Sequence, residues 1–446
     1  MPAATSTPTR VPLAGLDPAH LQLPFYEPRH ARTATAVTEF TTRHAGWWRR
    51  PLPGPAAEHT RTVLRALGQA GLLSFADPAR SADTDTDTDG DRAADGNGNG
   101  NGHGNGNGHG NGAGAGAGDL RSVCLAREAL AYADDLADYA YSIQALTATA
   151  LLRQGTDEQR GRYLPGMAAG VLQGAFAVSE PGAGSDLAAV ATEAVRDGDG
   201  YRLTGTKAWI ANAGTADVYA VLARTGEGPG ALGLSMFLVP GDAVGLATEP
   251  VGFIAPRAFG HLHLRGVRVG ADARLGRPGL GLPVALEVLD RFRLTVGAAA
   301  VGFARRALHE ALRHARGRRI YGDRLSNLAT VRSRLADLDV QLSAATLLVT
   351  RAAWEVDRGA GHARHSAVAK LHATETAQAI VDECVQLFGA AGLVADSVPE
   401  RLYRQVRSLR IYEGTSEVLR DVIAGSLDGR RAERCGAVFD AGEDPR

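Results

Sequence analysis

Between Leu328 and Val349 the apolar residues Leu328, Val331, Leu335, Leu338, Leu342, Ala345 and Val349 recur alternately at three and four positions. This spacing sets them along one helix face and predicts a long member of a helical bundle. A second long helix is predicted from about Pro283 to Arg316, ahead of a loop at Gly317 to Gly322. A third runs from about Ser366 to Phe388 and is ended by Gly389. Nearer the N-terminus, helical spacing covers Glu58 to Ala70, Leu120 to about Arg153, and Asp157 to Ala169. From about Ala175 to Arg274 the pattern changes to short runs divided by turn residues: YRLTGTKAWI, DVYAVLAR, LSMFLVP and HLHLRGVRV. In the last run Leu262, Leu264, Val267 and Val269 alternate, with a change of phase at Gly266. This order predicts a multi-domain α and β protein. Its parts are an N-terminal helical domain (residues 1–174), a middle β-barrel or sandwich domain (175–274) and a C-terminal four-helix bundle (281–446).

The stretch from about Ser81 to Gly118 fits neither pattern. It contains GNGNGNGHGNGNGHGNGAGAGAG and has almost nothing to bury, so a disordered, solvated insert is expected. His103 and His109 lie within it, but ordering a Gly/Asn repeat around a metal costs too much entropy for a site to be expected there. The closing AGAGAG has the glycines of a phosphate loop but lacks the preceding strand that such a loop requires.

Composition narrows the classes without naming a function. A chain of 446 residues should hold more than one domain. Its 48 Lys and Arg nearly cancel 49 Asp and Glu, so neither nucleic acid nor an anionic membrane is expected as a partner. Cys124, Cys384 and Cys435 are far apart and lack CxxC spacing, which points away from disulfides and zinc and towards a reducing, cytoplasmic setting. The N-terminal sequence has no signal-peptide core and no later run has the ~18 apolar residues of a membrane span, so neither secretion nor insertion is expected.

Several segments carry polar and glycine residues that suit a ligand site, each with a plainer alternative. In AFAVSEPGAGSD (Ala175 to Asp186), Gly182 and Gly184 let backbone amides approach a bound ligand or a phosphate, with the Ser179 and Ser185 hydroxyls beside them. A connecting turn would use the same residues. Trp209, in YRLTGTKAWIANA, suits either a cofactor face or a core. Arg318, in RRIYGDRL, offers a planar cation to a phosphate or belongs to a surface run. In RIYEGTSEVLR (Arg410 to Arg420), Glu413 is a carboxylate next to Gly414, and a carboxylate in a dry site can serve as a general base. The following Thr415, Ser416 and Glu417 read equally as the cap and first turn of a helix.

Taken in order, these segments resemble the motifs of the acyl-CoA dehydrogenase family over roughly Leu120 to Leu427. AFAVSEPGAGSD is similar to the family's Thr/Ser-Glu-Pro-x-x-Gly-Ser-Asp segment, implying that Phe176, Val178, Ser179, Gly184 and Ser185 line an FAD and thioester site. YRLTGTKAWIANA resembles the G-x-K-x-[W/F]-I-[T/S]-N strand and implies flavin contacts from Trp209, Ile210 and Ala211. Ala211 stands where the family has a hydroxyl residue near flavin N5. RRIYGDRL resembles R-x-x-F-G, so Arg318 and Tyr321 would reach the FAD pyrophosphate of a neighbouring subunit. VQLFGAAG resembles Q-x-x-G-G-x-G, implying roles for Gln386, Leu387 and Gly389. Ala390 replaces one glycine there, and Ala329 replaces a common glutamine. RIYEGTSEVLR resembles the segment that carries the catalytic base. Glu413 would be that base, Tyr412 and Gly414 would border the substrate, and Thr415, Ser416 and Glu417 would meet the cofactor.

Some family members carry the base on the first long helix of the bundle, but the matching position in DRFR is Phe292. Asp290, Arg291 and Arg293 around it would face the substrate or solvent. The resemblance implies that Glu413 takes the α-proton of an acyl-CoA or acyl carrier protein thioester while the β-hydrogen leaves as hydride to flavin N5. It also implies a homodimer or homotetramer, and an electron acceptor such as an electron-transfer flavoprotein. A flavin oxidase or monooxygenase on the same fold, left open by Ala211, and a non-catalytic scaffold are the alternatives.

Overall fold

A computed structural model describes residues 15–49, 55–74, 119–359 and 363–427. The Gly/Asn-rich stretch with His103 and His109, and Cys435, lie outside these residues. The first helices are α1 (Pro28–Arg43), α2 (Ala56–Gln69), α3 (Leu120–Ala133), α4 (Asp135–Gln154) and α5 (Asp157–Ala168). Helix α1, which sequence periodicity did not reveal, starts where the Glu27 and His30 side chains cap each other's backbone and Pro28 occupies the first turn.

The single helix expected from Leu120 to Arg153 is two helices. Asp134 breaks it with extended backbone, and its carboxylate accepts from the Leu136 N–H, 3.1 Å away, to cap α4. The Ala-Asp-Asp-Leu sequence at this point already carried that signal.

Strands β1 (Gly174–Ala177), β2 (Glu193–Asp197), β3 (Gly200–Ala211), β4 (Val218–Arg224), β5 (Leu234–Pro240), β6 (Leu246–Val251), β7 (Phe259–Gly270) and β8 (Arg274–Leu275) form one sheet in the order β6-β7-β3-β2-β4-β5-β8. Strand β1 pairs with β4. Along β4 and β5, alternate residues enter two different cores. Val218, Ala220, Leu222, Met236 and Leu238 face α4, α5 and the start of the next helix. Tyr219, Val221, Ala223, Phe237 and Val239 meet residues of β1, β3 and β7. Burial on both faces is why DVYAVLAR and LSMFLVP are almost continuously apolar.

Beyond the sheet lie α6 (Gly281–Gly317), α7 (Ala329–Asp357), α8 (Ala363–Phe388), α9 (Val398–Arg407) and α10 (Ser416–Leu427). The predicted loop at Gly317 to Gly322 is the first part of a tight hairpin, β9 (Arg319–Ile320) with β10 (Asp323–Arg324). The seam read from sequence is real: Val331, Leu335, Leu338, Leu342, Ala345 and Val349 are all buried. They share one core with α1, α2, α3, α6 and α8, so the N-terminal helices and the bundle pack as a unit against which the sheet is set.

Candidate active site

The β3–β7 pairing carries two irregularities, the second of them at Trp209. The first puts Gly266 (φ +68°) opposite the Leu203/Thr204 step, which explains the phase change in HLHLRGVRV. The second inserts Ala208 and Trp209 opposite His261, between the pairs Lys207–Leu262 and Ile210–Gly260. Trp209 takes φ +60° in this bulge and is 53% exposed, so it is not the core aromatic its composition would suggest. Its ring meets His261 edge-on at 4.9 Å and Phe253 at 6.3 Å. Ile210 and Ala211 are buried and paired with Gly260 and Phe259.

The SEPGAGSD loop is fastened to the same strand from below. Ala208 N–H donates to Ser179 O at 2.9 Å, and Lys207 Nζ donates to Val178 O and to Glu180 Oε1. Glu180 also accepts from the Ala191 and Thr192 N–H groups. Burial opposes its ionisation, yet the hydrogen bonds from Lys207 and Thr192 hold its carboxyl below the usual range. Phe176 and Val178 are buried in the cluster that contains Phe292. Gly184 and Ser185 are exposed, and a Cβ added at Gly182 or Gly184 would meet no atom within 4 Å.

On the other side, the segment 410–416 crosses the bundle between α9 and α10. Glu413 and Gly414 are consecutive left-handed residues, with φ +54° and +98°. A non-glycine residue held this way costs roughly 1–3 kcal/mol and persists only where its surroundings fix it. Arg293 Nε donates to Glu413 O at 3.1 Å, while Arg293 is itself tied to Asp290 Oδ1 at 2.6 Å. Lys370 Nζ donates to Gly414 O at 2.6 Å. Glu375 accepts from Ser416 Oγ at 2.6 Å and pairs with Arg410 at 2.9 Å. Thr415 caps α10 by accepting from Val418 N–H, so this segment is both a helix start and a candidate site.

Glu413 as a residue is only half-buried, but its Oε2 is sealed from solvent and has no hydrogen-bond partner among the described residues. Burial raises its carboxyl above the usual range; Arg127, Lys370 and Arg293 counteract this. Arg127 is fully buried and holds Asp138 through two bonds of 2.8 Å, with a third to Thr295. Tyr412 packs on the apolar core, and burial raises its phenol above the ordinary range. No acceptor among the described residues binds the Glu413 N–H.

Residues 252–259 tie these two sides together. Phe253 touches Trp209, Ile254 O accepts from Arg404, and Arg257 pairs with Asp135 and reaches Ser408. Asp290, Arg293, Tyr412, Glu413 and Gly414 thus gather at one place, and Arg291 lies beside Phe292 with a buried Nε that has no partner among the described residues. Phe292 itself is packed at 1% exposure and presents no acid. Glu417 lies exposed in the first turn of α10.

Arg318, Tyr321, Gln386, Leu387 and Gly389 are not part of this gathering. They sit where α6 and α8 end, marked by the stacked His314 and Phe388 rings at 4.1 Å. Along α8 this is on the order of 24 Å from Lys370 at about 1.5 Å per residue. Tyr321 is 93% exposed with φ +50°, and Arg318, Gln386 and Gly389 are exposed.

Sequence reading missed Lys370, Arg127, Asp138 and Glu375. Lys370 had a signal, as the one cation among the small and apolar residues Ala367, Ala369, Ala373 and Ala377 of α8. Among the described residues no group of three or more His, Cys, Asp or Glu could hold a metal, and no helix is long and apolar enough to cross a membrane.

Comparison with known proteins gives this geometry its context. Residues 109–171 match the acyl-CoA dehydrogenase N-terminal domain, residues 175–267 its middle domain and residues 279–427 its C-terminal domain. The chain is 40% identical over 281 residues to the mitochondrial short-chain specific acyl-CoA dehydrogenase of Bos taurus, covering 62% of this chain and 68% of that protein. It is 35% identical over 317 residues to the probable acyl-CoA dehydrogenase FadE25 of Mycobacterium tuberculosis, covering 69% of this chain and 80% of that one. Butyryl-CoA dehydrogenase from Megasphaera elsdenii superposes with a TM-score of 0.77 at 26% identity, over 90% of this chain and 98% of that chain. A glutaryl-CoA dehydrogenase from Mycobacterium smegmatis in complex with FADH2 superposes with a TM-score of 0.74 at 26% identity, over 91% and 96%.

Proposed function

Because this chain belongs to the acyl-CoA dehydrogenase family, we propose that it is an FAD-dependent oxidoreductase that desaturates the α,β bond of a short acyl-CoA, with Glu413 as the base. The observation that carries this reading is the Glu413 carboxylate. It has a sealed, unpartnered oxygen on a strained backbone, gripped from two sides by buried cations.

The chain's own residues fit a flavin. Gly182 and Gly184 leave open space above the loop, Trp209 is bulged out of its strand, and Ser179 and Ser185 supply hydroxyls beside them. When bound, FAD supplies the acceptor for the hydride that leaves the β-carbon. Glu413 takes the α-proton, and burial, which raises the affinity of its carboxyl for protons, favours that transfer. The unpaired Glu413 N–H is placed to donate to the thioester oxygen as charge develops there. Asp290 fixes the Arg293 guanidinium, which in turn fixes the Glu413 carbonyl. Arg291, with its unpartnered Nε, is left to face the carrier portion of the substrate.

Arg318, Tyr321, Gln386, Leu387 and Gly389 lie too far away to serve the same site. We assign them to the cofactor end of a second subunit's site, which requires a homodimer or homotetramer. Cys124 and Cys384 are buried free thiols, in keeping with a reducing, cytoplasmic location. An electron-transfer flavoprotein is the acceptor we expect.

The test is anaerobic mixing of the yellow holoprotein with butyryl-CoA, longer acyl-CoA thioesters and the same acyl groups on an acyl carrier protein. Loss of flavin absorbance with a short acyl-CoA supports the reading, and Glu413→Gln should retain FAD while losing that response. Response to carrier-protein thioesters alone would move the substrate to that class, and no response to any thioester would reject the activity.

A further inference from the structure

Lys370 is fully buried on α8, yet among the described residues no carboxylate lies within ion-pair distance of it. Its Nζ bonds to one atom, the carbonyl oxygen of Gly414, at 2.6 Å. A buried ammonium without a paired carboxylate is costly, and such a group persists where its charge has another use. The nearest such use is Glu413, whose carboxyl is the leading charge acting on Lys370, ahead of Arg293, Glu375 and Arg410. From the other side Glu413 meets Arg127, Lys370, Arg293 and Asp138.

Arg127 is already committed to Asp138 and Arg293 to Asp290. Among the described residues, Lys370 is therefore the one of these three cations around Glu413 with no carboxylate of its own. The backbone makes the same point. Two successive left-handed residues, Glu413 and Gly414, turn their carbonyls toward Arg293 Nε and Lys370 Nζ respectively. Side chains of α6 and α8 therefore grip the carbonyls of two successive peptide units in this left-handed stretch.

We infer that Lys370 is a positioning residue for the base. Its ammonium clamps the Gly414 carbonyl, which holds Glu413 in its left-handed conformation, and supplies the uncommitted positive charge that the ionised carboxylate faces. This inference rests on Glu413 being the base, as proposed above. It adds a residue outside the segment that carries the base, acting through backbone and field rather than by touching substrate.

The experiment compares wild-type holoenzyme with Lys370→Met and Lys370→Arg, by two independent readouts. The first is amide hydrogen exchange of the peptide spanning residues 410–416, which needs no substrate. Lys370→Met should exchange there at least ~10-fold faster, with Lys370→Arg close to wild type. The second is the rate of flavin bleaching by butyryl-CoA as a function of pH. Lys370→Met should be slower by roughly 10- to 100-fold with thioester affinity little changed. Its rising limb should move to higher pH, because losing a nearby positive charge raises the carboxyl's pKa. Lys370→Arg should recover most of the rate.

Unchanged exchange in Lys370→Met, or an unchanged pH limb where bleaching occurs, would overturn the inference. If wild type is bleached by no thioester, the proposed activity fails while the exchange result still decides the clamp. Should Lys370→Met fail to fold, Lys370→Gln is read by the same two measurements.

Discussion

Lys207 Nζ lies 2.7 Å from Glu180 Oε1, and both side chains are almost wholly excluded from solvent. The pair joins the loop after β1 to the strand that carries Trp209, two residues along from Lys207. Removing one partner of such a pair leaves the other charge buried and alone, at about 3–5 kcal/mol. Lys207→Met should therefore lower the unfolding free energy by about 3 kcal/mol, read from denaturant titration. Adding Glu180→Gln should recover part of this loss, because an amide oxygen can still accept from the Ala191 or Thr192 N–H.

Glu413 links the proposed chemistry to stability. Burial raises its carboxyl above the usual range, so the folded chain holds this proton more tightly than the unfolded chain does. The stabilising contribution of the protonated form is complete below the unfolded pKa and is lost as pH rises through the folded one. Glu413→Gln has no such proton to lose. Thermal melts of both proteins from pH 4 to pH 8 should show the variant gaining on wild type as pH increases. A constant difference across this range would mean that the carboxyl is not perturbed.

Asp357 presents the same sign in a different place. Burial and the neighbouring Asp119 carboxylate push it up to about 7, well above the usual carboxylate range. Asp119 is held low despite its burial, by His30 and Asp357, so it stays ionised through the neutral range. The stability Asp357 contributes is therefore present below about pH 4 and fades as pH passes 7. Asp357→Asn keeps one acceptor oxygen, for the Leu120 or the Arg121 N–H, and cannot lose a proton. Between pH 6 and 8 wild type should lose about 1 kcal/mol more than this variant. Parallel pH profiles would contradict the assignment.

The parts of this molecule legible in its sequence were those governed by short-range pattern. The α7 seam, the sheet between two helical regions and the bulge at Gly266 follow from periodicity and from a glycine at a change of phase. The break at Asp134 was written in the capping pattern but concealed by the apolar stripe that continues across it. What did not show was convergence over long separations. Lys370 and Arg293 reach adjacent carbonyls from different helices, and nothing local to either residue marks the meeting. Trp209 illustrates the same limit, because its exposure depends on the extra residue its strand carries relative to β7.

Gly184 separates a glycine needed by the fold from one needed by a ligand. At Gly281 an added Cβ would fall 2.5 Å from the Ser235 carbonyl carbon, and at Gly302 it would fall 2.2 Å from Glu128 O, so both are required by packing. At Gly184 nothing lies within 4 Å, and the residue is exposed. Gly184→Val should therefore change the stability of the cofactor-free chain by no more than ~0.5 kcal/mol. If the open space above the loop is where FAD lies, the branched side chain takes up that volume, and the variant should purify with at least ~10-fold less flavin than wild type. Gly302→Val, by contrast, should lower the melting temperature of the chain with or without cofactor. Absorbance of the purified proteins, with melts of the stripped forms, reads both outcomes. A Gly184→Val variant that keeps a full complement of FAD would show that the cofactor does not use this loop.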